Sequence, residues 1–526
     1  MTTEAAQVHV SPPSAEPGQK RDNTSRWLAA LAALVALGAF AYFLQKNAIL
    51  IYWDSVSHLQ ISRRLIDSPT PGYGQLGSVW LPLPHLLMLP FIGIDWMYFG
   101  GLAGSIVSML AFVGTSVLVF KIASQLATSR IAGVVAALVF ILNPNVLYMQ
   151  STPMAEMLMF LCIAGMVYGA QEWIQTGHPR YVIIAAVSAL AGTLTRYETW
   201  VIFATLAGVL LYATWRKRGY SCAEGVTLAF LIFGGISIAF WVVYNWLTFG
   251  NPLNFVNGEY AKSSLWVSDG EPAIGHPLTA VMTYVYAIVN NLGYVLSALF
   301  LAGVATIIVL RRSGLAHLPI LTPLVMFPFF VYALYKGERP LHVLEINGSL
   351  YNVRFGLMMI LPAAVLTGYL VGLLAKRWKL VAASAIAALL AATLLASAAN
   401  PERIITYLEP ASDVGQDIRV TSKQVSDFLA SNYQGGTILM EAFGNEFVLP
   451  QAGIPPTNNV YEGSYKIWEP TLADPAGHNV AWIVMRSSGL EQQDDIVYGK
   501  LYGTPQLEPY KLVFQNSHYY VYREKP

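Results

Sequence analysis

Charge is what this sequence has least of. Only 12% of its 526 residues are Asp, Glu, Lys or Arg and 55% are hydrophobic, against about 25% charged in soluble domains. That excludes an ordinary water-soluble enzyme. Two cysteines, Cys162 and Cys222, are too few for a disulfide framework; the expectation is ordinary packing in a membrane helix for one and an inert thiol in a cytosolic loop for the other. A net charge of +1 offers no surface to nucleic acid. Glycine and proline are dispersed and the apolar runs are long, which excludes a disordered or fibrous chain.

What charge there is lies unevenly. Of the 30 acidic residues, 15 follow Asn400, so the chain divides into a membrane body over 26–400 and a soluble domain over 401–526, preceded by a polar tail over 1–25 expected to be disordered and cytoplasmic. A bilayer core of about 30 Å needs about 20 apolar residues per helix. About eleven transmembrane helices are expected, starting near Trp27, Gly100, Ile131, Pro153, Tyr181, Trp200, Val226, Val281, Leu318, Asn352 and Leu380. With the amino terminus inside, 14 of the 22 Lys and Arg residues of the body fall in short loops on the cytoplasmic side, as positive-inside orientation requires. An odd number of spans then places the carboxy-terminal domain outside the cytoplasm. That domain reads as α/β, with a helix over Val420–Asn432, a Gly435-Gly436 turn, and strand character in Thr437–Glu441, Val480–Met485 and Leu512–Tyr522. It has no metal-ligand cluster and no phosphate loop, and is read as an accessory for acceptor recognition or a structural cap.

Chemistry is expected where charge is costly. An ionised carboxylate at the membrane midplane costs about 2.5–3.5 kcal/mol on insertion scales and usually faces a cavity or a partner. Three acids stand where helices meet the outer face: Asp54, Glu156 and Glu198. The first outer loop, 52–99, is too long for a simple connector. Its Ser55–Ile66 segment sets Val56, Leu59, Ile61 and Leu65 against His58, Arg63 and Arg64, the pattern of a helix lying in the membrane interface. Trp80–Trp96, broken by Pro82, Pro84 and Pro90, reads as a second interfacial segment. Trp53, Trp80 and Trp96 fit an aromatic belt. Arg196 and Arg354 lie at the same edge, in LTRYETW and YNVRFGLMMILP. A guanidinium there grips phosphate bidentately, contacts a lipid headgroup, or pairs with Glu156 or Glu198. Lys336 and Arg339 are expected to touch lipid headgroups.

An aspartate ending the first span, the stretch from WDSVSHLQISRRLIDS through QLGSVWLPLPHLLMLP, an acid in TPMAEMLMF and an arginine in NVRFGLMMILP together resemble the GT-C superfamily of membrane glycosyltransferases. Within it the resemblance is to the branch holding protein O-mannosyltransferases and lipid A aminoarabinose transferases, and it covers about Trp27–Ala375. It implies a polyprenyl-phosphate sugar as donor, a protein, lipid or glycan acceptor on the outer face of a prokaryotic plasma membrane, and inversion at the anomeric carbon. Asp54 matches the first-loop acid used as general base, and Glu156 the second-loop acid that supports it. The resemblance departs in three places: Ser55 follows Asp54 where many relatives have a second acid, the loop has no DxD triplet, and the tail has no WWD. The last argues against an oligosaccharyltransferase; the first two weaken any case for a divalent metal, and no cofactor is expected.

The roles so assigned are these. Asp54 and Glu156 are catalytic. Arg354 and then Arg196 hold the donor phosphate, stabilising charge as the sugar departs. Glu198, His58, Tyr197 and Tyr351 contact substrate. The polyprenyl tail lies between spans among membrane lipids. A secondary transporter or flippase is the competing reading, although it is expected to show internal repeats and a midplane site; a non-catalytic assembly or receptor protein is the third.

Overall fold

The structure is a computed structural model. It describes residues 23–526 except 263–264, 266, 268–269, 311–313, 379, 399–403, 412–415 and 488–493. The expected disordered tail therefore lies almost wholly outside the described residues.

Each expected span start lies on an apolar helix or within three residues of one, but not all of these helices are long. Among the described residues seven are long and apolar enough to cross a membrane: Thr24–Gln45, Leu102–Ala127, Glu156–Thr176, Glu198–Arg218, Tyr220–Phe249, Gly314–Lys336 and Val353–Lys376. An eighth arises if Pro277–Leu292 and Tyr294–Val309 are one broken span, bent by 110°. The bend is made by Gly293 at φ 79°, a conformation that side chains disfavour. The segments expected at Ile131 and Tyr181 are the shorter helices Arg130–Ile141 and Pro179–Thr193, and that at Leu380 has its apolar stretch at Ser384–Thr393. Twelve residues rise only about 18 Å, short of the bilayer core. Arg130–Ile141 stops because Asn143 caps a new helix, accepting from the Val146 amide at 3.0 Å, with Pro144 as its first residue. Eleven full crossings are therefore not confirmed, and the sidedness argued from an odd count goes with them.

The body packs backbone to backbone through small residues. A Cβ on Gly368 would stand 2.3 Å from the Ala132 carbonyl, and one on Gly133 2.5 Å from that of Phe120. Helices of this kind associate closely because small side chains let their backbones meet.

The first loop differs from its expected form. Its helix runs Trp53–Arg64, but it does not lie open on a membrane surface: His58, Gln60, Arg63 and Arg64 are all buried. The carboxy-terminal domain covers Gln60 and Arg64. Gln60 donates to the Glu446 carbonyl at 2.5 Å, Gln75 to that of Gly463 at 3.0 Å, and the Arg64 guanidinium lies 3.9 Å over the Tyr461 ring. The second segment holds the helices Leu83–Ile92 and Asp95–Phe99, tied back by Arg63 to Asp67 and Asp95 at 2.7 and 2.8 Å. Of the three tryptophans assigned to a belt, Trp53 packs on Phe447 and Trp80 on His58. Only Trp96, 66% exposed, is placed as a belt residue would be.

The carboxy-terminal domain is α/β. Behind the helix Gln416–Asn432 stands a five-stranded sheet of β1 (Thr437–Leu439), β2 (Asn459–Val460), β3 (Val480–Arg486), β4 (Tyr510–Gln515) and β5 (Tyr519–Glu524), in the order β2-β1-β3-β5-β4. The first three strands are parallel and the last two antiparallel. The single strand expected over Leu512–Tyr522 is the β4–β5 hairpin.

Candidate functional site

Three carboxylates stand at helix N-termini. Asp54 is in the first turn of Trp53–Arg64, and Glu156 and Glu198 open the helices Glu156–Thr176 and Glu198–Arg218. The unpaired amides there favour negative charge by about 0.3–1 kcal/mol each. One helix, Pro179–Thr193, separates the last two, so the chain goes out and back and both acids reach the same end of the bundle. Arg354 comes from the 3-10 segment Val353–Met359. This segment is entered through Asn352 in the left-handed region at φ 51° and held by Asn291, which donates to the Val353 carbonyl at 2.7 Å.

These groups form one chain of ion pairs. Arg354 reaches Asp54 Oδ2 through Nη2 at 2.5 Å, Glu156 Oε1 through Nε at 3.2 Å and Glu409 Oε1 through Nη1 at 2.9 Å. Arg196 reaches the same Glu156 oxygen at 2.9 Å and grips Glu198 with two bonds of 3.0 and 3.2 Å. Arg339 closes the chain on Glu198 at 3.0 Å. Glu409 also accepts from the backbone amides of Asn352 and Arg354 at 3.0 and 3.3 Å. Burial pushes the Glu409 carboxyl up to about 7, although Arg354 and these amides pull the other way.

Exposure separates the members. The side chains of Glu156, Glu198 and Glu409 are 2%, 1% and 5% exposed, whereas that of Asp54 is 34% exposed. Asp54 is thus a charged oxygen presented outward by a buried cationic clamp. Glu156 Oε2 is buried and takes no hydrogen bond from the protein, an acceptor in need of a donor.

Arg354 and Arg196 are committed mostly to carboxylates, the ion-pair alternative that the sequence left open. Arg339, expected to meet headgroups, instead pairs with Glu198 and is the most exposed guanidinium of the three, at 31%. Tyr197 turns away: its hydroxyl donates to the Val79 carbonyl and accepts from Trp241 Nε1, each at 3.0 Å. Tyr351 pairs its backbone with His342 in an isolated bridge. His58 sits one helical turn beyond Asp54, its Nδ1 2.8 Å from His85 Nε2. Its basicity is pushed down to about 3 by burial, then by Arg196 and Arg354. Glu409, Arg339 and His85 were not picked out by sequence for this site. Among the described residues no group of three or more His, Cys, Asp and Glu is arranged to hold a metal ion.

In structure the chain is similar to ArnT from Cupriavidus metallidurans bound to undecaprenyl phosphate, with a TM-score of 0.58 at 11% identity over 95% of this chain and 98% of that one. The apo state of the same protein gives 0.56 at 12% identity with the same coverage. AglB, the oligosaccharyltransferase of Archaeoglobus fulgidus in complex with an inhibitory peptide and a dolichol-phosphate, gives 0.48 at 12% identity over 88% of this chain and 69% of that one. No family model matches the chain, and no curated protein matches it in sequence. The chain is a polytopic helical membrane body followed by a small α/β domain, a fold similar to that of ArnT. The similarity to ArnT extends over nearly the full length of both chains.

Proposed function

We propose that this protein is an inverting glycosyltransferase that moves a hexosyl or pentosyl group from a polyprenyl-phosphate donor to a protein, lipid or glycan acceptor outside the cytoplasm of a prokaryotic cell. The observation that carries the reading is the contrast within the ion-pair chain: three carboxylates are sealed, and Asp54 alone is open while clamped at 2.5 Å by Arg354. In this reaction the acceptor hydroxyl gives its proton to Asp54 as its oxygen bonds to the anomeric carbon. The bond from that carbon to the phosphate oxygen breaks, and its electron pair leaves with the lipid phosphate. Positioned general bases contribute about 10²–10⁴-fold. Glu156 shares Arg354 with the base and holds that guanidinium from its buried side. Growing charge on the leaving phosphate is met by Arg196, Arg354 and the more open Arg339, cations already in place before the reaction.

ArnT with undecaprenyl phosphate supports a lipid-phosphate donor, and the long apolar helices give its tail a place. A transporter is disfavoured because the charges gather at helix ends, whereas transporter sites lie near the midplane. The test is to reconstitute the protein in nanodiscs, supply labelled undecaprenyl-phosphate sugars with candidate acceptors, and identify products by mass spectrometry. Glycosylated product with release of undecaprenyl phosphate is expected. Absence of transfer from every such donor contradicts the reading.

A further inference from the structure

His58 and His85 form a pair that takes no part in the reaction as proposed above. His85 is wholly buried and His58 nearly so, at 0% and 5% exposure, and they meet Nδ1 to Nε2 at 2.8 Å. The outer atoms of the pair differ. Among the described residues Nδ1 of His85 is buried with no protein partner, whereas Nε2 of His58 also has no protein partner yet is not among the buried unpaired atoms. It therefore keeps access to solvent. The His58 ring is backed by Trp80, with ring centroids 4.6 Å apart, and lies in the field of Arg196 and Arg354.

The unpaired nitrogen decides where the protons are. One proton sits between the two rings. If it belonged to His58, His85 would carry its own proton on Nδ1, an N–H buried with nothing to accept it. If it belongs to His85 Nε2, the buried Nδ1 is only a bare lone pair. Orphaned buried N–H groups are the rarer and costlier case. His85 Nε2–H then donates to His58 Nδ1, and the His58 proton must lie on Nε2, facing outward. A third cation here is opposed by burial and by both arginines, so the rings stay neutral.

We propose that His85 fixes the tautomer of His58, and that His58 presents its Nε2–H as a neutral donor to a phosphate oxygen of the lipid-linked substrate. His85 is a positioning residue, acting only through His58. The phosphate, rather than a sugar hydroxyl, is indicated because the His58 side chain lies in the field of the Arg196 and Arg354 guanidiniums, where an anionic oxygen is favoured. The proposal deepens the glycosyltransferase reading and rests on it for the ligand, though not for the tautomer.

Two measurements on the full-length protein test it. Nitrogen-15 NMR of histidine-labelled protein, with the His58 signal among nine histidines assigned by its loss in His58→Gln, is expected to show bare Nδ1 and protonated Nε2 at His58. In His85→Leu that preference is expected to disappear. Binding of undecaprenyl phosphate in nanodiscs is expected to weaken about tenfold or more in His58→Leu and His85→Leu. In His85→Gln, whose amide N–H reaches as Nε2 does, it is expected to return to within about threefold of wild type. A His58 signal with protonated Nδ1 overturns the tautomer assignment. Wild-type binding in His58→Leu, or a His85→Gln as weak as His85→Leu, overturns the role. Failure of wild type itself to bind undecaprenyl phosphate removes the ligand and the glycosyltransferase reading together, while the NMR result still decides what His85 does.

Discussion

Arg354 is the hub of the ion-pair chain, and its removal tests the energetics most sharply. Arg354→Met keeps the length of the side chain and deletes the charge. Its three carboxylate partners then differ in consequence. Asp54, 34% exposed, is rehydrated and costs about 0–1 kcal/mol. Glu156 keeps Arg196 at 2.9 Å. Glu409, 5% exposed, loses the Arg354 guanidinium that pairs with it at 2.9 Å. Breaking a buried pair from one side costs about 3–5 kcal/mol, so Arg354→Met is expected to lower the unfolding midpoint by several degrees in detergent. Adding Glu409→Gln removes the charge that Arg354 faced and is expected to recover about 1–2 kcal/mol, a coupling readable in a double-mutant cycle. The pH dependence has a definite sign. The folded Glu409 carboxyl is already raised to about 7, above its ordinary value, and is raised further without Arg354. Its contribution is fully present below the ordinary carboxylate range and is lost as pH rises through the folded value. The Arg354→Met defect should therefore grow from pH 5.5 to pH 8, and Glu409→Gln should flatten that growth. Coupling between positions 354 and 409 of less than about 0.5 kcal/mol, or a defect independent of pH, refutes the argument.

Two further outcomes concern the scaffold. In the carboxy-terminal domain burial raises Glu441 to about 8, Glu446 to about 7 and Asp495 to about 6; by the same sign rule its stability is greatest in mild acid, and amide exchange in β1 and β3, corrected for intrinsic rates, should accelerate from pH 5.5 to pH 8 and less so in Glu441→Gln. Gly368→Ala forces a methyl to 2.3 Å from the Ala132 carbonyl and is expected to cost about 1–3 kcal/mol, whereas Gly208→Ala, with nothing within 4 Å, should be neutral or slightly stabilising by thermal unfolding.

Rarity of charge made most of the site legible. Asp54, Glu156, Glu198, Arg196 and Arg354 stand out because each interrupts apolar sequence, and the structure joins all five. Glu409 did not stand out because it lies in the tail, where acids are common and a buried one looks like any other; only the tertiary fold brings it to Arg354. Arg339 occupies a loop in which a headgroup contact is the default. His85 is hidden in WLPLPHLLML, where its neighbours give no sign of His58. The first-loop helix was placed correctly, but its polar face was assigned to water because sequence does not say that another domain will cover it. Helix count was least legible. Hydropathy finds apolar segments, yet crossing also depends on where caps such as Asn143 and prolines such as Pro144 and Pro179 end a helix.

The account stands on Asp54 as the base. The most direct measurement is the rate of sugar transfer from a polyprenyl-phosphate donor by purified Asp54→Asn, which keeps the shape, removes the proton acceptor and retains an oxygen for Arg354. Transfer is expected to fall about 10²–10⁴-fold with the unfolding midpoint nearly unchanged, since the residue is part-exposed. Transfer at the wild-type rate by a folded Asp54→Asn protein would contradict the claim.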